Sequence, residues 1–139
     1  MNRMRGSVLA RWLVLASASA AAVAISSAIG ILPTYRMAGS QAAIALGVAA
    51  AVIWAASAVA AAPVAMWPAS NARATAQAIQ VGMLLRFALT LAAALALVFG
   101  TGLPRTALLL WLGIHYLVAL AVTTGAEVWL FRRNGPEAS

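Results

Sequence analysis

The chain has 139 residues, of which 65% are hydrophobic and 8% are charged, and its formal net charge is +7. A soluble domain carries about a quarter charged residues, so this composition excludes a water-exposed globule and predicts a chain embedded in lipid. All nine basic residues are arginines spread between apolar runs, which argues against a nucleic-acid-binding face, and the absence of Cys excludes disulfides and thiolate metal sites.

Four apolar runs predict an all-α membrane protein, a small bundle of four transmembrane helices in a single polytopic domain covering 1–139. Each run approaches or exceeds the roughly 20 residues that a membrane span needs. The first follows three arginines, and its alternative interpretation is a cleaved signal peptide, although it is longer than the usual apolar region of one. The predicted helices cover residues 8–32, 42–67, 77–100 and 104–131.

Proline, glycine and polar residues predict the connections between these helices. Residues 33–40 have a turn composition, and Pro63 is expected to end or kink the second helix because proline removes a helical hydrogen bond. Residues 68–75 form the middle connection, and 100–105 form a tight turn.

The arginines predict the orientation of the chain in the membrane. They are concentrated in the N-terminal segment, the middle connection and the C-terminal tail, whereas Arg36 and Arg105 stand alone in the other two connections. Cytoplasmic loops carry the excess of positive charge. Both termini are therefore predicted to lie in the cytoplasm, with the helices in the inner membrane of a bacterium and membrane lipid as their surroundings.

Arg86 is the residue that any account of function must explain. It lies nine residues after Gln77, or about 14 Å along the helix, which is near the middle of a hydrocarbon core about 30 Å thick. An arginine at that depth normally faces a partner helix or water, and the alternative is that its long stem reaches the cytoplasmic interface. It belongs to a stripe of small and polar residues suited to close helix packing, which consists of Ala78, Gly82, Arg86, Thr90 and Ala94.

The fourth helix carries two further candidate residues, Glu127 and His115. Glu127 stands near the cytoplasmic end, where its candidate partners are Arg86, Arg11 and Arg73, and the alternative is a carboxylate solvated at the headgroups. His115 is about 120° away around the helix, so the two do not share a face. A hydrogen bond to a neighbouring helix is favoured for His115 over a proton relay, which needs further titratable groups at that depth.

The sequence contains no nucleophile–base pair, phosphate-binding glycine loop or carboxylate pair. Catalysis needs at least two such roles in one pocket, so the chain is not expected to be an enzyme. One histidine and two glutamates do not form a usual zinc site, and no metal or cofactor is expected.

The second half of the chain resembles a known family. Gly82-x-x-x-Arg86, the Leu103-Pro104 turn, Trp111 and an aliphatic last helix with a polar tail are similar to ATP synthase protein I, a small four-helix subunit encoded with bacterial F-type ATP synthases. Ala10-Arg11-Trp12-Leu13 is similar to the start of its first helix. The resemblance covers residues 79–131 best, and it implies a helper in assembling the ring of c subunits.

One departure from that family concerns Met83, which stands where the family commonly carries an acid. The divalent-cation role that the family implies leans on that acid, so only Gly82 and Arg86 carry over. The leading prediction is an accessory or assembly factor for the ATP synthase or another membrane complex, and a homo-oligomer is left open. The alternatives are a small transporter or channel subunit with Arg86 and His115 in its path, and a holin-like or orphan membrane protein.

Overall fold

A computed structural model describes residues 2–67 and 71–134, and these residues form three α-helices. The helices are α1, Asn2–Met66, α2, Ala72–Gly100, and α3, Arg105–Asn134. Each of the three is long and apolar enough to cross a membrane. The all-α class is confirmed, whereas the backbone has three helices and not the four that the sequence predicts.

The difference in helix count comes from one residue, Gly39. Its φ of 83° and ψ of −173° are the only non-helical backbone angles inside α1. The left-handed side of φ is open to glycine because glycine has no Cβ. A straight helix of 65 residues would be about 98 Å long, more than three times the thickness of a hydrocarbon core. Gly39 instead divides α1 into a first arm, 2–38, and a second arm, 40–66.

The two arms of α1 lie side by side and antiparallel. The indole nitrogen of Trp12 donates a hydrogen bond of 2.9 Å to the carbonyl oxygen of Ala58. Four residues further along the first arm, the carbonyl oxygen of Ala16 accepts one of 3.3 Å from Trp54. Each arm therefore gives one tryptophan donor to the other, and the fold-back is fixed by bonds between residues 38 and 46 positions apart.

Several predicted boundaries are corrected. The predicted turn 33–40 is helical except at Gly39, so Pro33 lies inside α1. Pro63 also lies inside α1, within the predicted range 42–67, and does not end the helix there. The third predicted helix begins five residues early, at Ala72, because the Asn71 side chain accepts a hydrogen bond from the backbone of Ala74 and caps it. The predicted connection 68–75 is thereby shortened, and its residues 68–70 lie outside the described residues. The fourth runs from Arg105 to Asn134, so three residues of the predicted tail are helical.

The interior has two apolar clusters, one toward each end of the bundle. The cluster near the N-terminus contains Leu15, Ala61, Val64, Ala78 and Phe131. The cluster near the fold-back at Gly39 contains Val23, Ala45, Ala49, Ile53, Leu108, Leu112 and Ala119. Apart from His115, the buried polar residues of the described segments lie between these two clusters, and they include the charge that the sequence singles out.

Candidate functional site

The candidate site is a layer of buried polar side chains to which every helix and both arms of α1 contribute. We call it the polar layer, and each of its members is at most 1% exposed. Its position between the two apolar clusters follows from the chain order of the residues on each helix. Its members are Ser19 on the first arm, Ser57 on the second arm, Arg86 on α2, and Thr123 and Glu127 on α3.

An ion pair between α2 and α3 is the centre of the polar layer. The Nη2 atom of Arg86 lies 3.8 Å from the Oε1 atom of Glu127, and both side chains are almost completely buried. Charge-assisted hydrogen bonds between such groups measure about 2.7–2.9 Å, so the two groups attract each other without a direct hydrogen bond between these atoms. Of the three arginines that the sequence offers as partners for Glu127, the structure selects Arg86.

Gly82 allows the helices to come close enough for this pair to form. A Cβ atom at this position would lie 2.7 Å from Val64 Cγ2 and 3.6 Å from Glu127 Oε1. The first distance is shorter than real Cβ contacts allow, so a side chain here would require either the Val64 side chain or α2 itself to shift. Small residues at helix contacts in membranes have this effect on packing generally. Gly82 is therefore required by the close approach that brings Arg86 to Glu127.

The pair is deep inside the bundle. Arg86 is the middle residue of α2, with 14 residues on either side. Glu127 lies beside Gly82, one helical turn or about 6 Å from the level of Arg86, less than the difference of about 10 Å that counting residues gives. The stem of an arginine is long enough to cover one turn. The guanidinium of Arg86 faces Glu127 on α3, and the whole side chain is 1% exposed, so it does not extend toward the membrane interface.

Several polar atoms in and beside this layer have no hydrogen-bond partner among the described residues. They are Arg86 Nε and Nη1, Glu127 Oε1, Ser57 Oγ, Thr90 Oγ1 and Thr124 Oγ1. The other layer hydroxyls are bonded within their own helices, Ser19 to the carbonyl of Ala16 and Thr123 to that of Ala119. Buried polar groups in proteins are bonded in the large majority of cases, so this concentration of unpartnered atoms is unusual.

His115 is completely buried, but it faces a different neighbour from Glu127. Its Nε2 atom lies 2.9 Å from the hydroxyl of Ser27 on the first arm, and its Nδ1 atom lies 2.7 Å from the carbonyl oxygen of Trp111. Trp111 packs against Gly30, where an added Cβ would overlap the indole. His115 therefore joins α3 to the first arm, at the level of the apolar cluster near Gly39, and lies apart from the ion pair.

Thr90 lies one turn beyond Arg86 and borders an open groove between α2 and α3. The groove has a volume of about 190 Å³, and Arg86 is not among its lining residues. One of its walls includes the edge-on contact between Phe87 and Tyr116, whose ring centres are 6.3 Å apart. Thr90 thus belongs to the small stripe of α2 as the sequence predicts, but its neighbours are apolar side chains.

The sequence interpretation missed the serines and the threonine of the polar layer. Ser19 and Ser57 lie in runs of alanine, where serine is compatible with any helix face, so composition gives no signal for them. Thr123 and Thr124 are adjacent, and only Thr123 bonds its own helix. The signal that could have identified Ser57 was its position, because it shares helical spacing with the residues on the face of the second arm that meets α2. Those residues are Ala60, Ala61 and Val64.

Comparison of the chain with known protein families, with curated proteins and with solved structures finds no match in any of the three. The buried pair, its unpartnered neighbours and the apolar exterior of the bundle are the structural features that bear on function.

Proposed function

We propose that this chain is a membrane-embedded accessory or assembly factor of the bacterial F-type ATP synthase, and that it assists assembly of the c-subunit ring. The proposal starts from the resemblance of residues 79–131 to ATP synthase protein I, whose Gly-x-x-x-Arg pattern corresponds to Gly82 and Arg86. It would act in the inner membrane by contact between helices, without catalysis and without a cofactor.

The observation that supports this class of function over a transporter is the environment of Arg86. A transport path needs its charged groups to face a water-filled cavity that the substrate can enter. Arg86 is 1% exposed and its charge is met by Glu127 of the same chain. The charge therefore serves the internal packing of the bundle, and contacts with other proteins are left to the outer surface.

The outer surface of α2 suits lateral contact with other membrane helices. α2 buries only three residues, Ala78, Gly82 and Arg86, so most of its circumference faces outward. The outward side chains are large and apolar, and include Val81, Leu84, Phe87, Leu91, Leu95 and Phe99. Association of helices in lipid depends on packing of such surfaces, since lipid removes the usual hydrophobic driving force.

We also propose four membrane crossings with both termini in the cytoplasm. Because α1 doubles back at Gly39, its two arms supply two crossings and α2 and α3 supply one each. Apart from Arg86, the arginines named here then divide by side, with Arg36 and Arg105 near the fold-back. Arg11, Arg73, Arg132 and Arg133 lie near the opposite end. The positive-inside rule assigns that second end to the cytoplasm.

Reporter fusions test this topology. Fusions after Arg36 and Arg105 should report the outer side of the membrane, and fusions after Arg73 and Arg133 should report the cytoplasm. The mass of the intact mature protein should include residue 1 or 2, as an uncleaved first arm requires. A mass that lacks the first arm would leave three crossings and would reverse the assignment of the N-terminal side.

The departure at Met83 limits what the resemblance implies. The acid of the family precedes the arginine by three residues on the same helix, whereas here the carboxylate beside Arg86 comes from Glu127 on α3. We therefore propose no divalent-cation role. The pair balances the charge of Arg86 within the bundle.

The proposal is tested by deleting the gene in its host and measuring the assembled c-ring on native gels. Ring yield should fall while pulse-labelled synthesis of the c subunit is unchanged, and expression of the intact chain should restore it. The protein purified in mild detergent should carry c subunits with it. The yield of another multi-subunit membrane complex in the same cells is the matched control.

Two results would contradict the assembly role. The first is a normal c-ring yield in the deletion strain together with no co-purification of c subunits. The second is an equal loss of the control complex, which would indicate a general effect on the membrane. Ion flux through vesicles that contain only the purified chain would favour the transporter class instead.

A further inference from the structure

We propose that the polar layer is a binding site for water, and that at least two water molecules are held between Arg86, Glu127 and Ser57 inside the membrane-spanning bundle. Two properties of the polar layer support this site: the positions of its unpartnered polar atoms, and the need for a ligand that can both donate to and accept from them.

The unpartnered atoms come from three different helical segments that meet at one level. Gly82 on α2 lies against Ala60 on the second arm and against Glu127 on α3. Arg86 follows Gly82 by one turn, and Ser57 precedes Ala60 by about one turn on the same buried face, so the antiparallel second arm and α2 bring these two residues to the same level. Thr124 precedes Glu127 by one turn on α3. The site is therefore enclosed by separate elements rather than being a feature of one helix.

The unpartnered atoms include both donors and acceptors. Arg86 Nε and Nη1 only donate, an ionised Glu127 Oε1 only accepts, and the Ser57 and Thr124 hydroxyls do either. Moving Arg86 and Glu127 into direct contact would satisfy one of these donors at most. The second donor of Arg86 and the hydroxyl of Ser57 would still have no partner.

Charged ligands fit this set poorly. A cation would be placed against the guanidinium of Arg86, and an anion against the carboxylate of Glu127, at a pair whose charges already balance each other. The guanidinium geometry adds a second objection to a chelating anion. Nε and Nη1 belong to different edges of the planar group, so one oxyanion bound to an edge leaves the other donor unsatisfied.

Water meets each requirement of the site. It donates and accepts, and buried waters in proteins typically make about three hydrogen bonds to polar groups that otherwise have no partner. The separation of 3.8 Å between Arg86 Nη2 and Glu127 Oε1 lets one molecule beside the pair contact both groups. Because Nε and Nη1 point in different directions, at least two molecules are needed.

Water-edited solid-state NMR on the full chain in lipid bilayers tests the proposal. This experiment measures how fast magnetisation passes from water to assigned side chains. Transfer to Arg86 and Ser57 should be fast, although both are buried near mid-membrane. Ile53 is the matched control, because it is completely buried one turn from Ser57 on the same arm and has no polar group. Transfer to Ile53 should be slow.

A variant separates bound water from water that leaks in from the surface. In Arg86→Met/Glu127→Met, fast transfer to Ser57 should be lost and should fall to the rate at Ile53. Fast transfer that persists in this variant would overturn the proposal, since the pair would not be what holds the water. Slow transfer to Arg86 in the unaltered protein would overturn it as well, and this measurement does not depend on the variant folding.

Discussion

Removing either member of the Arg86–Glu127 pair should destabilise the protein, but by unequal amounts. In Arg86→Met, the remaining Glu127 carboxyl can bind a proton and become neutral, as buried ionisable groups do when they lose their partner. In Glu127→Met, the remaining guanidinium stays charged, because arginine is not deprotonated in proteins. Loss of the same contact therefore leaves a buried neutral group in Arg86→Met and a buried full charge in Glu127→Met.

The expected magnitudes follow from the burial of both side chains, 1% and 2% exposed. Breaking a buried pair and leaving its charge uncompensated costs about 3–5 kcal/mol, which is the expected loss for Glu127→Met. Arg86→Met should cost about 1–3 kcal/mol, the penalty of a buried neutral group without its hydrogen bonds. The double variant should lie within about 1 kcal/mol of the unaltered protein or above it, because replacing both ions by apolar groups removes the desolvation penalty.

Unfolding of the purified protein by SDS in mixed micelles, followed by circular dichroism, measures these differences. Leu84→Met is the control for substitution by methionine and for purification of a variant, because Leu84 is on the same helix as Arg86 and is 69% exposed. The double-mutant cycle should give a favourable coupling energy of at least about 3 kcal/mol, because the losses of the two single variants sum to about 4–8 kcal/mol whereas the double variant loses about 1 kcal/mol at most. Equal losses in the two single variants, or losses that simply add in the double variant, would show that the two charges do not meet in the folded protein.

Two glycine positions give further predictions. Gly30→Ala should lower the free energy of unfolding by about 1–3 kcal/mol, because its Cβ would overlap the Trp111 indole, whereas Gly47→Ala in the same helix meets nothing and should be neutral or stabilising. Gly39→Ala should lower the free energy of unfolding by about 1–2 kcal/mol, because φ at this position is positive. A loss no larger than that of Gly47→Ala would show that the reversal does not require glycine at residue 39.

The sequence predicted the apolar segments well and the turn between the first two poorly. Periodicity and composition locate stretches that lipid can surround, because each must satisfy its own backbone hydrogen bonds. The same requirement favours a short connection between two helices, because a short reversal leaves few backbone groups without helical hydrogen bonds. Pro33 and the polar residues after it suggested a connection of eight residues, but one glycine with a positive φ reverses the chain. A reversal this short leaves almost no trace in composition.

The sequence predicted the charged residues of the candidate site, but it did not predict the residues that contribute hydroxyl groups. Arg86 was identifiable because a charge at that depth is rare, and Glu127 because it is the sole acid in an apolar run. Their meeting depended on the exact depth of Glu127. Helix counting placed Glu127 about 4 Å too far from the level of Arg86, because loop lengths do not fix the vertical offset of neighbouring helices. Ser57 depends on that same offset, so its place in the layer becomes visible only with the structure.

The ion pair also bears on how α2 chooses its register against the rest of the bundle. α2 packs through Ala78, Gly82 and Arg86, which follow one another at intervals of four residues. A slide of one turn toward Ala78 would replace Gly82 by alanine at the contact with Val64, a difference of one methyl group, so packing opposes that register only through this contact. Arg86 opposes it as well, because a slide of one turn, about 6 Å, would carry its guanidinium out of reach of Glu127. Polar groups that fix register at some cost in stability are best known from coiled coils.

Stability and register should therefore respond differently when the pair is removed. The chain has no cysteine, so Ala61→Cys and Ala78→Cys introduce a unique pair at two positions that pack together in the unaltered fold. Cross-linking between them should be efficient with the ion pair present. In the background of Arg86→Met/Glu127→Met it should fall, and Ala78→Cys should begin to link to a cysteine placed one turn away, at Ala65→Cys or Ser57→Cys. Since that background is expected to be as stable as the original, a loss of cross-linking there reports a change of register rather than unfolding. An unchanged cross-linking pattern would mean that the close contact at Gly82 sets the register alone and that the buried charges have no part in it.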